Sequence, residues 1–441
     1  MNRTRALACA GSFVWIEEIM PARNLKINQL QVQQKHPLGA SHSSPSKLRE
    51  RMEFTLPQRV GRSALLFTLP QRVGGGAQRA EGGLAPALLL ALLFFAAPAH
   101  AEILIAVAGP MSGQYAVLGN HMKTGAEAAI AAINAGGGIN GETLTLLSAD
   151  DACDTKRAAD IAKDFASKDV RLVVGHFCSG ASRAAALIYE QSGIMMTTPS
   201  ASLPALTDQG LWNVLRLTGR DDAQAMLAAT RIAAETPAPK VAIISDESST
   251  AKILVTGFQS KLQTALAFSI KQGAADYTDT AAKIVAEAPS VIYLATSAND
   301  AGQLASDLAA AGFAGRLYGN DALISEAFSA KAAEASEGTR ATFPMDPQTV
   351  PAAQATIAAL QAQGKSTEGA TLPTYAAIES FAAAARARSV NDTRAMADWL
   401  KSGTPVQTVL GSIAFDAKGD LQQQPFVWYQ WQNGSAQAEQ P

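Results

Sequence analysis

Leu172-Val173-Val174-Gly175-His176-Phe177-Cys178-Ser179-Gly180 is followed, after a helix-like run, by Ile194-Met195-Met196-Thr197-Thr198-Pro199-Ser200-Ala201-Ser202. In each, a short apolar run ends in a cluster of hydroxyl and glycine residues from which a helix or turn begins, the way strands end in an open α/β sheet. Loops at the carboxyl ends of such strands are where these sheets hold ligands. The spacing predicts a helix over 179–191, and the unpaired N–H groups and dipole at its start favour an anion such as a carboxylate. This pattern allows a small-molecule carboxylate site between Ser179 and Ser202. It equally allows a plainer reading, with Ser179 a helix cap and Ser202 a turn residue.

Outward from this stretch the chain keeps one rhythm. Continuous apolar strands at 103–108, 172–174, 240–245 and 290–295 are what a parallel sheet covered on both faces needs. Helix-like runs fall at 120–135, 155–167, 179–191, 251–266 and 300–311, and the βαβ alternation implies parallel strands with right-handed crossovers. Shorter strands are expected at 143–148, 194–197, 212–217 and 316–319, a helix at 322–331, three more at 351–363, 373–387 and 393–401, and strands at 412–416 and 426–431. The fold class is α/β. Gly136-Gly137-Gly138 follows a helix instead of opening one, and no Gly-Lys-Ser/Thr comes after it, so it reads as a turn and not a phosphate cradle.

The first hundred residues are of another kind. Residues 84–97 form an apolar run preceded by Arg79 and followed by Pro98-Ala99-His100-Ala101, the pattern of a secretory signal peptide, assigned to 79–101. At about 14 residues the run is short for a membrane span. Upstream, 1–78 has little hydrophobic periodicity and repeats Phe-Thr-Leu-Pro-Gln-Arg-Val-Gly at 54–61 and 67–74. Two copies are too few to stack as a solenoid, and the segment is set aside as a leader of doubtful status. Cleavage after Ala101 takes away 12 Lys/Arg and 5 Asp/Glu, leaving 24 basic against 33 acidic side chains, a formal charge of about −9. Such a chain is a poor ligand for phosphate backbones, so nucleic acid is excluded as a partner. The expected product is soluble and periplasmic, touching membrane proteins only transiently. Cys9 leaves with the leader. Cys153 and Cys178 remain, and an even pair in an exported protein reads as a disulfide worth roughly 3 kcal/mol by loop closure; free thiols or a redox pair are the alternatives.

Asp150-Asp151-Ala152-Cys153-Asp154, Val174-Gly175-His176-Phe177-Cys178-Ser179, Thr198-Pro199-Ser200-Ala201-Ser202 and the earlier Gly109-Pro110-Met111-Ser112-Gly113 resemble the leucine/isoleucine/valine-binding proteins of bacterial branched-chain amino acid ABC transporters. The likeness runs on through 134–141, Thr374-Tyr375 and Phe415-Asp416-Ala417-Lys418-Gly419-Asp420, and covers the chain from about Glu102 onward. It implies a type I periplasmic binding protein with two Rossmann-like lobes, each on a parallel sheet, joined by a three-segment hinge near 220, 346 and 415. The N-terminal lobe would be 102–220 plus 347–414, and the C-terminal lobe 221–346 plus 415–436. The resemblance also places an amino acid between the lobes. By motif, Ser179 matches the serine that binds the ligand carboxylate, Ser202 the loop hydroxyl, and Ser200 the residue whose carbonyl accepts from the ammonium. Asp321 falls where relatives carry an acidic partner for the ammonium, although a cap for the helix after it is the simpler reading of that residue. Aromatic positions of the family are replaced at three places here: by Leu118, by the segment 246–250 ending at Thr250, and, for an aromatic pair, by Ser297-Ala298. Each lost aromatic removes up to roughly 150–250 Å² of contact surface, so a larger or more polar ligand whose own groups reach Thr250 and Ser297 is expected as readily as leucine.

The function these readings imply is capture of an amino acid, branched-chain or a related small carboxylate, and its delivery to the permease subunits of an ABC importer by a monomeric protein. The alternative is a ligand-binding sensor that hands its closed state to a receptor. No enzyme is expected, and no cofactor or metal. The chain after 101 has two histidines, His121 and His176, and lacks Gly-x-Ser-x-Gly, His-Glu-x-x-His, Walker and dinucleotide motifs. His176 reads as a structural histidine.

Overall fold

β1 (Glu102–Gly109) sends Ile103, Ile105 and Val107 to one face and Ala106 and Ala108 to the other, and all five are buried. A strand alternates its side chains, so burial on both sides means a layer of helices on each face. In the computed structural model, residues 102–235, 237–263 and 266–439 are described, and the leader and signal-peptide assignments at 1–78 and 79–101 lie outside them. After β1 come α1 (Ala116–Ala135), β2 (Thr143–Asp150), α2 (Thr155–Ala166), β3 (Leu172–Gly175), α3 (Ser179–Gln191), β4 (Met195–Thr198), α4 (Ala205–Asp208) and β5 (Val214–Arg216). The five strands form an all-parallel sheet in the order β2-β1-β3-β4-β5. Asp154 caps α2 by accepting from the Arg157 N–H at 2.7 Å, the usual role of Asp at that position.

A second parallel array follows: α5 (Asp221–Glu235), β6 (Val241–Ser245), α6 (Ser249–Gln259), β7 (Leu266–Ser269), α7 (Thr278–Ala286), β8 (Val291–Ala295), α8 (Ala298–Ala310), β9 (Arg316–Gly319), α9 (Glu326–Ala332) and β10 (Arg340–Pro344). The chain then adds α10 (Gln354–Ala362), α11 (Thr371–Ala387) and α12 (Thr393–Lys401) to the first core, beside the small hairpin β11 (Val406–Thr408) and β12 (Gly411–Ile413). It ends with β13 (Phe426–Gln432) and β14 (Ser435–Ala438), which close the second sheet antiparallel in the order β14-β13-β10-β9-β8-β6-β7. α11 lies close enough on α1 that a Cβ at Gly125 would stand 2.1 Å from the Thr371 carbonyl oxygen; glycine there permits the contact.

The structure departs from the sequence reading in four places. The helix expected over 251–266 ends at Gln259, and Leu266 opens an edge strand instead, because β7 pairs with β6 and buries only alternate residues. The helix expected at 322–331 is a 3-10 turn, Asp321–Ile324, and then α9, capped by Ser325, whose hydroxyl oxygen accepts from the Phe328 N–H at 3.4 Å. α7, β10 and β14 were not anticipated. The third passage between the sheets falls later than 415, since Phe415 and Leu421 sit in the first core and the chain joins the second sheet only at Phe426. Among the described residues no helix is long and apolar enough to cross a membrane.

Three passages therefore link the sheets, and they lie side by side. A Cβ at Gly219 would stand 2.3 Å from the ring of Phe426. The Arg220 N–H donates to Gln424 Oε1 at 3.0 Å, and the Met345 N–H to the Pro425 carbonyl at 2.8 Å.

Candidate functional site

β3 and β4 end side by side in their sheet, which brings the loop after each to one edge. Cys178 and Cys153 form a disulfide with Cα atoms 5.4 Å apart. It fastens the residue just before α3 to the loop after β2. Ser179 is the first residue of α3, where the leading N–H groups have no intrahelical acceptor. Its hydroxyl oxygen accepts from the Leu203 N–H at 3.4 Å, so the helix start and the loop carrying Ser200 and Ser202 are neighbours. Ser179, Ser200 and Ser202 are all half-buried.

Ser200 begins a turn held by Thr198, whose hydroxyl oxygen accepts from the N–H of Ala201 at 2.9 Å. Among the described residues the Ser200 carbonyl has no partner, whereas the next three carbonyls, of Ala201, Ser202 and Leu203, all accept hydrogen bonds. A loop carbonyl left free in this way is an acceptor that a donor group on a ligand could complete.

The opposite wall is acidic. The Ser202 carbonyl accepts the Asp221 N–H at 3.1 Å, and the Ser202 hydroxyl is near enough to the Asp221 carboxyl to act against the rise in its pKa. Asp221 in turn lies close enough to Asp321 for the two charges to repel. Burial raises the pKa of both. Asp321 is pushed up to about 6, first by desolvation and then by the charge of Asp221, against a hydrogen bond from Gln224 that pulls it down. Gln224 is buried; its Nε2 reaches Asp321 Oδ1 at 3.4 Å and its Oε1 accepts from the Asp321 N–H at 3.1 Å and the Thr342 hydroxyl at 3.0 Å. Asn320 Nδ2 donates to the same Asp321 oxygen at 3.1 Å, while its own Oδ1 and the nearby Tyr293 hydroxyl are buried without partners. Arg216 and Arg220 offset part of the charge at Asp221, and burying the Asp321 carboxylate beside it is costly unless a cation is near.

Asp321 is the first residue of the 3-10 turn Asp321–Ile324, and α9 after it is capped by Ser325. Leu118 is half-buried and packs on the first core. Thr250 is exposed in the first turn of α6. Ser297 caps α8: its hydroxyl donates to Asp300 Oδ2 at 2.8 Å and accepts the Asp300 N–H at 3.3 Å. Asp221 is the residue the sequence reading missed. The signal that could have found it is its place at the first passage between the sheets.

His176 is fully buried, with Nδ1 2.6 Å from Asp151 Oδ2 and Nε2 3.0 Å from the Tyr189 hydroxyl, so both ring nitrogens are satisfied internally. No group of three or more His, Cys, Asp or Glu side chains is placed to hold a metal among the described residues. A cavity of about 330 Å³ beside Trp212, Arg394 and Lys401 includes none of the groove residues.

Two α/β halves linked by three passages, with the hydroxyls of the first half beside carboxylates of the second, are the framework of a solute-binding protein. The profile of the periplasmic binding protein family matches residues 102–436, and the chain belongs to that family. It is 34% identical over 352 residues to a Leu/Ile/Val-binding protein homolog of Brucella abortus, covering 79% of this chain and 95% of the relative. It is 36% identical over 341 residues to an amino acid binding protein of Pseudomonas aeruginosa, covering 76% and 91%. A solved ABC transporter substrate-binding protein from Desulfitobacterium hafniense, in complex with Leu, superposes with a TM-score of 0.60 at 25% identity over 77% of this chain and all of its own. The family is one of solute carriers, not enzymes.

Proposed function

We propose that this protein captures an amino acid, branched-chain or a related small carboxylate, in the groove between its two halves, and presents it to the permease subunits of an ABC importer. In this reading the N-terminal lobe is 102–220 plus 347–421 and the C-terminal lobe is 221–346 plus the final strands. Residues 79–101 direct export and are removed, and the mature protein works as a periplasmic monomer. The ligand carboxylate meets the start of α3 and the Ser179 hydroxyl. Its ammonium meets the Ser200 carbonyl, the Ser202 hydroxyl and the Asp321 carboxylate. Contacts to both halves stabilise the closed arrangement by differential affinity.

The observation that carries this reading is the juxtaposition of Ser179 and Ser202 with Asp221 and Asp321. An amino acid has one group for each side. Calorimetric titration with L-leucine, L-isoleucine, L-valine and small carboxylates lacking an amine tests it. The expected result is saturable 1:1 binding of at least one amino acid, weakened about thirtyfold or more in Ser179→Ala, because a charge-assisted hydrogen bond in a closed site is worth roughly 2 kcal/mol. Binding of the amine-free acids as tightly as the amino acids would sink the assigned role of Asp321.

A further inference from the structure

Arg216 ends β5 with its side chain turned wholly inward, and it is fully buried. A buried guanidinium needs partners for its donors. Two of its bonds go to the loop that carries Ser200 and Ser202: Nη1 donates to the Ala201 carbonyl at 2.9 Å and to the Leu203 carbonyl at 3.0 Å. Nη2 donates to the Thr207 hydroxyl at 2.6 Å, and Nε to Asp420 Oδ1 at 2.7 Å. Asp420, also buried, takes Arg220 Nη1 on its other oxygen at 2.8 Å. The Arg216 N–H is meanwhile bound to the Gly419 carbonyl at 2.8 Å. Arg220 lies in the first passage between the sheets, and Asp420 stands at the mouth of the third.

We propose that Arg216 is a positioning residue for ligand recognition: held by Asp420, it fixes the 200–203 loop to the first and third interlobe passages, so that the Ser200 carbonyl and Ser202 hydroxyl are aimed before a ligand arrives. The claim rests on the function proposed above. A buried ion pair is seldom the most stable way to fill a core, and an apolar replacement of equal volume is often as good. What only the planar fork of arginine does is hold two carbonyls two residues apart and a carboxylate at once. The ligand touches none of these groups in this scheme. Setting the loop in advance removes the ordering cost that a mobile loop would add to binding.

The test uses the full chain with Arg216→Lys and two readings: hydrogen exchange of the 199–205 segment without ligand, and the Kd for L-leucine. The expected outcome is exchange about tenfold faster in that segment, with 241–245 and 291–295 unchanged, and a Kd raised about tenfold. Ile357→Val in the first core serves as the control, lowering Tm without moving either reading. An Arg216→Lys protein that folds, with loop exchange and Kd within about twofold of the parent, overturns the proposal. Should that variant fail to fold, Asp420→Asn, of equal size, is read the same way, and no change in loop exchange overturns it. If the parent binds another of the titrated amino acids in place of L-leucine, the Kd is read for that one; if it binds none, the functional reading fails on its own, while the exchange measurement still decides the positioning claim.

Discussion

The two walls of the groove are built on opposite electrostatic terms. The wall formed by Ser179, Ser200 and Ser202 is neutral, made of hydroxyls, peptide groups and a helix start, and is braced by the Cys153–Cys178 disulfide. The other wall brings Asp221 and Asp321 together, each with its carboxyl pushed above the usual range. Hydrogen-bonding walls can be set in advance at little electrostatic cost. A pair of neighbouring carboxylates cannot, and at neutral pH an arriving ammonium relieves what repulsion Arg216 and Arg220 leave. Under the proposed function, the first wall supplies geometry and the second supplies the drive for binding, at some expense in the stability of the ligand-free protein.

Removing the charge of Asp321 is the hardest blow to that contrast. Asp321→Asn is expected to weaken amino acid binding about a hundredfold or more, because a closed site then holds an unpaired ammonium. The same change should raise the Tm of the ligand-free protein at pH 8. A carboxyl whose folded pKa lies above its unfolded value of 3.8 stabilises the fold fully below that value, and the contribution is lost as pH rises through about 6. Asp321 keeps some contact with water in the groove, which reduces the gain to about 1–2 kcal/mol. Titration calorimetry and melting at pH 8 check the pair of effects; a variant that melts lower and binds like the parent would show the acidic wall to be structural.

The neutral wall is probed through its brace. Cys153→Ser with Cys178→Ser removes a cross-link between residues 25 apart in sequence and is expected to cost about 3 kcal/mol in unfolding free energy by the loop-closure argument. Affinity should fall by only about threefold, since Ser179 keeps its place at the helix start and Leu203 still binds its hydroxyl oxygen. Denaturant unfolding and the L-leucine Kd measure both. An affinity loss as large as that of Asp321→Asn would erase the division of labour between the walls.

How much of this was legible in the sequence differs between the walls in the same way. α3 was readable from Ser179 to Gln191 because glycine, serine and apolar punctuation mark both ends within the segment itself. β6, β8 and β9 were readable because buried parallel strands are continuous apolar runs. β7 and β10 were not. The edge strand β7 alternates exposure, and β10 begins with Arg340 and ends with Pro344, so neither carries that signal. The serines followed from local motif. Asp221, Gln224 and Arg216 did not, because what makes each matter is a partner about a hundred residues away or, for Arg216, the pairing with Asp420 across 204 residues. Long-range polar pairing leaves no periodicity to read.

The mildest test of the contrast is pH, and it bears on the acidic wall alone. With its carboxyl pushed up to about 6 in the empty protein, Asp321 is about nine-tenths ionised at pH 7 and about one-tenth at pH 5. An amino acid stays zwitterionic across that window, so the site changes and the ligand does not. Only the carboxylate form pairs with the ammonium, and binding below pH 6 must therefore expel a proton. The Kd for L-leucine is expected to rise about tenfold between pH 7 and pH 5 and to be flat from pH 7 to 8. Calorimetry in buffers of differing ionisation enthalpy counts the protons released. One proton at pH 5 fits Asp321, and a steeper dependence brings in Asp221, whose carboxyl is also raised by burial. In Asp321→Asn the residual affinity should lose most of this slope, because the serine wall carries no group that titrates in the range. A pH-independent Kd in the parent protein would mean that the ammonium is held by the neutral wall after all.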